Sequence, residues 1–282
     1  MGTSLQFRTP AGPIAVEDLP EDILTAIRAQ APDWPAGDRE AEANLRISVE
    51  PDRNGHWRFQ SPTFQTPDFA FPPGLVAGNG LIGCLIHTFV AASPDWICLH
   101  AGAVEMDGGL TVLLGDNLAG KSTMSVALMA RGHRLWCDDR LPVTGGDRFD
   151  GMALALRPKL RLPLPPSAPA SFRTFGASRS GPTEGEMLYV MPQPGEAAGF
   201  DARAPLRRLV LLNRRDNADL NLKPAALGES VKRLVGTTFA PHLAPTALLA
   251  RLRSLAESTE CLTLTYADTF EAAKMLAGDA GH

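Results

Sequence analysis

The stretch Gly115-Asp116-Asn117-Leu118-Ala119-Gly120-Lys121-Ser122 satisfies the pattern G-x-x-x-x-G-K-[ST]. Residues of these types in this order cradle phosphate. Glycines let the backbone curl so that successive N–H groups face inward at phosphate oxygens. A helix that starts where the loop ends presents its positive N-terminus to the same anion. Lys121 then neutralises the β- and γ-phosphates, and Ser122 offers a hydroxyl to Mg2+. With Thr123 behind them, residues Gly115 to Thr123 are the expected nucleotide site, with ATP and Mg2+ as cofactors. A glycine turn that merely joined strand to helix would leave a lysine against the helix's own positive end, with no anion to justify it.

Seventeen residues after Lys121 come two adjacent carboxylates, Asp138 and Asp139. They close the apolar run "RLWC", where an unpaired charge is costly; a metal ion and a nearby lysine remove that cost. Successive strand residues point in different directions, so the two acids are expected to divide the work. One reaches Mg2+ and the other faces an incoming hydroxyl and takes its proton. The other reading is a single metal-binding acid with a passive neighbour, as in a simple ATPase. His100, ahead of the phosphate-loop strand, is either a packed core histidine or a group that touches metal or phosphate. His133, next to the end of the intervening helix, reads as structural.

Placing these groups together requires an alternating α/β framework. "WICLHAGAVEM" reads as a strand, Asp107-Gly108-Gly109 as a turn and "LTVLL" as a second strand; Lys121–Arg131 is helical, and "RLWC" is a third, buried strand. Gly132 stands where a helix C-cap glycine belongs. The crossover from loop to acids should bring the end of the new strand back beside the loop it left. Downstream, "RPKLRLPLPPSAPASF" reads as an edge strand entering a loop, since Leu160, Leu162 and Leu164 alternate. "SFRTFGASRS" and "RSGPTEGE" read as flexible or exposed loops, with Arg173 and Arg179 either as solvated charges or as contacts for an acidic acceptor or the nucleotide's phosphates. "LRRLVLLNR" and "ECLTLTYAD" read as strands, and "PTALLARLRSLAE" and the C-terminus as helices. Upstream, a short helix near Leu19–Ile27 and two strands joined by Asp52-Arg53-Asn54-Gly55 suggest a small α+β region over 1–72. A boundary is expected at Pro72-Pro73-Gly74, with the catalytic domain over 73–282.

The 282 residues carry a formal net charge of -4, which gives no support to nucleic-acid or anionic-membrane partners. Residues Gly74–Ala92 are apolar enough to consider as a membrane span, but Asn79, His87, four glycines and the lack of a basic flank favour a helix in a soluble core. The N-terminus has no signal-peptide pattern, and Gln6 breaks the myristoylation pattern. Cys84, Cys98, Cys137 and Cys261 lie far apart, without metal-ligand spacing. Reduced thiols in a cytoplasmic protein are the expected reading.

Over Leu99–Val143, through "LHAGAV", "LLGDNLAGKS" and "RGHRLWCDD", the chain resembles the catalytic domain of bacterial HPr kinase/phosphorylase and its relatives. The likeness extends more loosely to phosphoenolpyruvate carboxykinases. It implies a carboxykinase-like α/β P-loop core and ATP-dependent phosphorylation of a serine hydroxyl on a protein or peptide. Carried over by position, Lys121 and Ser122 bind phosphate and Mg2+, Asp138 is the base and Asp139 the metal-side acid. His100 matches a histidine near metal or phosphate. There are departures. Thr123 stands where the family often has Glu, and the second signature loop is not found; only Lys159 and Arg161 of "RPKLR" stand in a plausible substrate-contact position. Phosphorolysis and HPr itself as acceptor are therefore not implied, and a precursor peptide is an alternative acceptor. Residues 1–72, outside the resemblance, are candidates for recruiting substrate. A small-molecule kinase and a nucleotide-dependent sensor without transfer remain as other readings, and homo-oligomerisation stays open.

Overall fold

The computed structural model describes residues 3–37, 43–65, 69–145 and 148–278. The Met-Gly start and part of the proline-containing stretch before Pro72, residues 66–68, lie outside the described residues. Two compact units form, Met1–Trp96 with Ala240–His242, and Ile97–Phe239 with Leu243–His282. The helix after Pro72-Pro73-Gly74 goes with the first of them, so the division falls after Trp96 rather than at the prolines.

The first unit holds β1 (Thr3–Phe7), β2 (Ile14–Leu19), α1 (Glu21–Gln30), β3 (Ala36–Gly37), β4 (Leu45–Pro51), β5 (Trp57–Ser61), β6 (Phe64–Gln65) and α2 (Leu75–Ala91). Its six-stranded sheet runs β3-β1-β2-β4-β5-β6. The β4–β5 hairpin turns where the sequence signals it: Asp52 Oδ1 accepts from the N–H groups of Asn54 (2.8 Å) and His56 (2.9 Å). Strands β1 and β2 escaped the sequence reading because they are short and carry Gly and Pro between them. Helix α1 turns Ile23, Leu24, Ala26 and Ile27 inward, and α2 packs against it. Contact is closest at Gly78, where an added Cβ would lie 2.7 Å from Ala26 Cβ and 2.6 Å from Gln30 Nε2. Gln30 Nε2 in turn donates to Leu75 O at 2.7 Å. Helix α2 is apolar on nearly all sides but only 17 residues long. No helix among the described residues is long and apolar enough to cross a membrane.

The second unit is a mixed α/β assembly. Its elements run β7 (Trp96–His100), β8 (Gly102–Met106), β9 (Gly109–Leu114), α3 (Lys121–Met129), β10 (Arg134–Cys137), β11 (Arg140–Thr144), β12 (Asp150–Met152), β13 (Lys159–Arg161), α4 (Ala170–Ser178), β14 (Ser180–Glu184) and β15 (Met187–Val190). They continue as β16 (Arg203–Arg214), β17 (Asn221–Pro224), α5 (Leu227–Thr237), β18 (Thr238–Phe239), α6 (Pro245–Glu257), β19 (Glu260–Tyr266) and α7 (Thr269–Leu276). A ten-stranded sheet follows the path β10-β8-β9-β16-β12-β11-β7-β18, with β19 on β16 and β17 on β19. Strand β16 is its spine. Arg203–Pro205 pair with β12, and the remainder runs parallel to both β9 and β19. Val210, Leu212, Leu264 and Tyr266 join one buried cluster with Met124, Leu128, Phe172 and Phe270 from α3, α4 and α7.

Three local readings are corrected. "WICLHAGAVEM" is two strands parted at Ala101, because β7 lies on the β11 side of the sheet and β8 pairs with β9 and β10. "RSGPTEGE" is not an exposed loop: it supplies β14 and the turn into β15 of a small sheet ordered β13-β15-β14. "SFRTFGASRS" is not flexible either: most of it forms α4, entered from Pro169 and held by Phe172 in the core.

Candidate functional site

The loop between β9 and α3 turns left-handed at Leu118 (φ 66°) and Gly120 (φ 92°). Only glycine takes the second position without strain, and an added Cβ there would also press on Thr269 Oγ1 at 3.2 Å. Tyr266, at the end of β19, donates its hydroxyl to Ala119 O and braces the loop from behind. Helix α3 begins at Lys121, so its first N–H groups open towards the loop. Lys121 is 7% exposed; its Nζ donates to the carbonyls of Gly115 (2.8 Å) and Asp116 (3.1 Å). Desolvation lowers its pKa, against the raising charges of Asp139 and Asp116. A buried ammonium whose side-chain hydrogen bonds are two neutral carbonyls is a group that an arriving anion would stabilise.

Strand β10 is antiparallel to β8 and β8 antiparallel to β9, so β9 and β10 run the same way with β8 between them. Both therefore end at one edge, and the acids that follow β10 come back beside the loop. His100, Asn117, Leu118, Gly120, Lys121, Ser122, Thr123, Asp138, Asp139, Lys159 and Arg161 all line one cleft of about 760 Å³. Three residues of the expected nucleotide set fall outside it. Gly115 packs against Ala119 and Leu212; Ala119 and Asp116 line a smaller cavity of about 410 Å³, and Asp116 pairs with Arg233, which lines it too.

The adjacent acids have opposite environments. Asp138 is 4% exposed, and one carboxylate oxygen accepts the Lys159 backbone N–H at 2.7 Å. Burial raises its pKa to about 6, with the Asp139 charge adding; the Lys159 charge, the Lys159 N–H and the Ser122 hydroxyl act the other way. Asp139 is the more exposed partner. His100 Nδ1 stands 3.0 Å from its Oδ1, and Arg140 Nε 3.5 Å from its Oδ2. Desolvation, which would raise its pKa, is outweighed by the His100 hydrogen bond and the Arg140 and Lys159 charges, which hold it well below the usual carboxylate range. The His100 side chain is 46% exposed, so it is not a packed core histidine.

The sequence reading did not find the far wall of the cleft: Ser167, Arg214, Asp268, Thr269 and Phe270, with Pro163, Pro165 and Met187. Asp268 caps α7, accepting from the N–H groups of Phe270 (2.7 Å) and Glu271 (3.0 Å). The spacing Asp268 to Glu271 is a legible helix-start signal; nothing local says that this start faces the glycine-containing loop before Lys121. Arg173 and Arg179 are not solvated loop charges. Arg173 donates to the carbonyls of Ala168 (3.0 Å), Pro165 (2.8 Å) and Pro166 (3.2 Å), clamping the proline-rich segment. Arg179 pairs with Glu196 at 2.6 Å and stacks over Phe175.

No family model matches the chain, and no curated protein matches it. Among solved structures, the HPr(Ser) kinase/phosphatase from Coxiella burnetii is similar at 13% sequence identity with a TM-score of 0.33, covering 64% of this chain and 91% of that one. A likeness this distant adds nothing to the geometry above.

Proposed function

We propose that the chain is an ATP-dependent kinase that transfers a phosphoryl group to a serine hydroxyl of a protein or peptide. The observation that carries this reading is the inequality of Asp138 and Asp139 at the edge of a cleft that also holds Lys121 and Ser122. A sensor that only bound nucleotide would have no use for a second, buried carboxylate with raised proton affinity. Asp138 takes the proton of the acceptor hydroxyl as that oxygen bonds to the γ-phosphorus; the bond between that phosphorus and the β–γ bridging oxygen breaks, and ADP leaves. Lys121 gives up its carbonyl partners for phosphate oxygens.

The Ser122 hydroxyl and the Asp139 carboxylate are hard oxygen donors suited to Mg2+. No group of three or more His, Cys, Asp or Glu side chains among the described residues forms a metal cage. A cation here would accordingly take its remaining ligands from phosphate and water, as Mg2+ does. When bound, it would neutralise charge on the phosphates. His100 orients Asp139 and keeps it ionised.

The test is transfer of label from γ-labelled ATP to protein. Asp138→Asn should keep ATP binding and lose about 10²–10⁴-fold in transfer rate. Unchanged transfer by that variant would remove the base from the mechanism. Label found on a metabolite and never on protein would replace the acceptor class.

A further inference from the structure

Strand β13 is paired on one side alone. Its partner is β15, in antiparallel register Lys159↔Tyr189, Leu160↔Leu188 and Arg161↔Met187, and among the described residues no strand pairs with its other side. The pattern continues at both ends: Val190 N–H donates to Pro158 O at 2.8 Å and Leu162 N–H to Glu186 O at 2.6 Å. Hydrogen-bonded pairs alternate along an antiparallel ladder. Residues 158, 160 and 162 therefore face β15, and Lys159 and Arg161 turn their backbone groups outward. At Lys159 that outward N–H meets the Asp138 carboxylate. At Arg161, two residues and about 7 Å further along, the outward groups border the open cleft, which Arg161 lines and where it is exposed. Pro158 and Pro163 bracket the strand and keep this edge short.

Resting on the kinase reading, we propose that the acceptor is an extended, acidic peptide segment that adds as an antiparallel strand to the outer edge of β13. One peptide residue exchanges both backbone hydrogen bonds with Arg161. Two residues later the peptide reaches the Lys159 position, where Asp138 stands in place of a ladder partner, and the acceptor serine arrives at the base. Main-chain bonds hold the peptide, and side chains select it. The charges that select are on the page: Lys159 and Arg161 share one face of β13, opposite buried Leu160, and Arg214 lines the same cleft. Acidic residues beside the acceptor complement them.

The test uses the full chain with ATP, Mg2+ and a library of peptides with a central serine and randomised flanks. The best peptide is resynthesised with single backbone N-methyl groups. Selection of acidic flanks is expected, together with at least a tenfold loss of kcat/KM for N-methylation two residues before the serine and little effect one residue before it. Arg161→Pro, which deletes the outward N–H, should lose at least tenfold more than Arg161→Ala, which deletes only the charge. Peptides phosphorylated with no sensitivity to N-methylation at that position would overturn strand addition and leave the kinase standing. Selection of basic flanks would overturn the charge assignment. If Arg161→Pro converts a dimer into a monomer, the edge belongs to a second copy of the chain and the proposal fails. No phosphorylated peptide in the whole library would overturn both docking and kinase readings.

Discussion

The packing of α1 on α2 and the cleft at the ends of β9 and β10 are built on opposite terms. In the first, the contacts are mainly apolar: Gly78 lets Ala26 approach, and Gln30 Nε2 finds the carbonyls of Ala26 (3.1 Å) and Leu75 (2.7 Å), while its Oε1 is buried with no hydrogen-bond partner among the described residues. In the second, Lys121 and Asp138 are buried, Lys121 on the carbonyls of Gly115 and Asp116 and Asp138 on the Lys159 backbone N–H. One region is organised for stability. The other holds a buried ammonium that an arriving anion would stabilise and a buried carboxylate that it would not.

Substitutions in the two regions should accordingly move stability in opposite directions. The largest effect is expected from Gly78→Leu, whose side chain has no room against Ala26; it should lower stability by about 3 kcal/mol in thermal or urea unfolding. An unchanged midpoint would break the comparison on the α1–α2 side.

Asp138→Asn should do the reverse. The folded-state pKa of Asp138 is raised to about 6 from the usual 3.8. A raised carboxyl favours the folded state below the unfolded value, and that advantage is lost as pH rises through 6. The ionised form is thus a standing penalty at pH 8, on the order of 2–3 kcal/mol given about 1.4 kcal/mol per tenfold change in proton affinity. The nucleotide-free variant should unfold at higher temperature than the parent at pH 8 and at the same temperature below pH 3.8. A gain confined to acid pH would contradict the burial argument. For the same reason, phosphoryl transfer should rise with pH through about 6 as Asp138 ionises, and a rate falling over that interval would count against its role as base. Arg173→Ala is the smallest case. It removes the clamp on Pro165, Pro166 and Ala168 and should cost about 1 kcal/mol. Its sharper signature is faster amide exchange at Leu164, Ser167 and Ala168, the residues between the prolines, with α1 and α2 unaffected.

The legible parts of the molecule were those within reach of one crossover. The glycine spacing of residues 115–120, Lys121, and the acids at the end of "RLWC" lie within a single strand–helix–strand unit, so hydrophobic period and residue type place them together. His100 was harder, because its strand breaks at Ala101 and turns into a different part of the sheet. Arg173 and Arg179 were misread because composition reports that a residue is charged and says nothing of the carbonyls or glutamate that it meets.

Residue types and spacing alone set out the glycine-lysine pattern of residues 115–122, the alternating framework around it and the presence of two carboxylates close behind. Only the tertiary structure decided how those carboxylates differ, since burial against Lys159 and exposure beside His100 are properties of surroundings and not of the Asp-Asp pair. It also decided the far wall, where Arg214 and Asp268 to Phe270 reach the loop through the parallel pairing of β9, β16 and β19. Such pairing joins residues 52 positions apart between β16 and β19, and 96 or 97 apart between β9 and β16. Local propensity carries no record of it, because the energy that selects it comes from burying one sheet face against α3, α4 and α7.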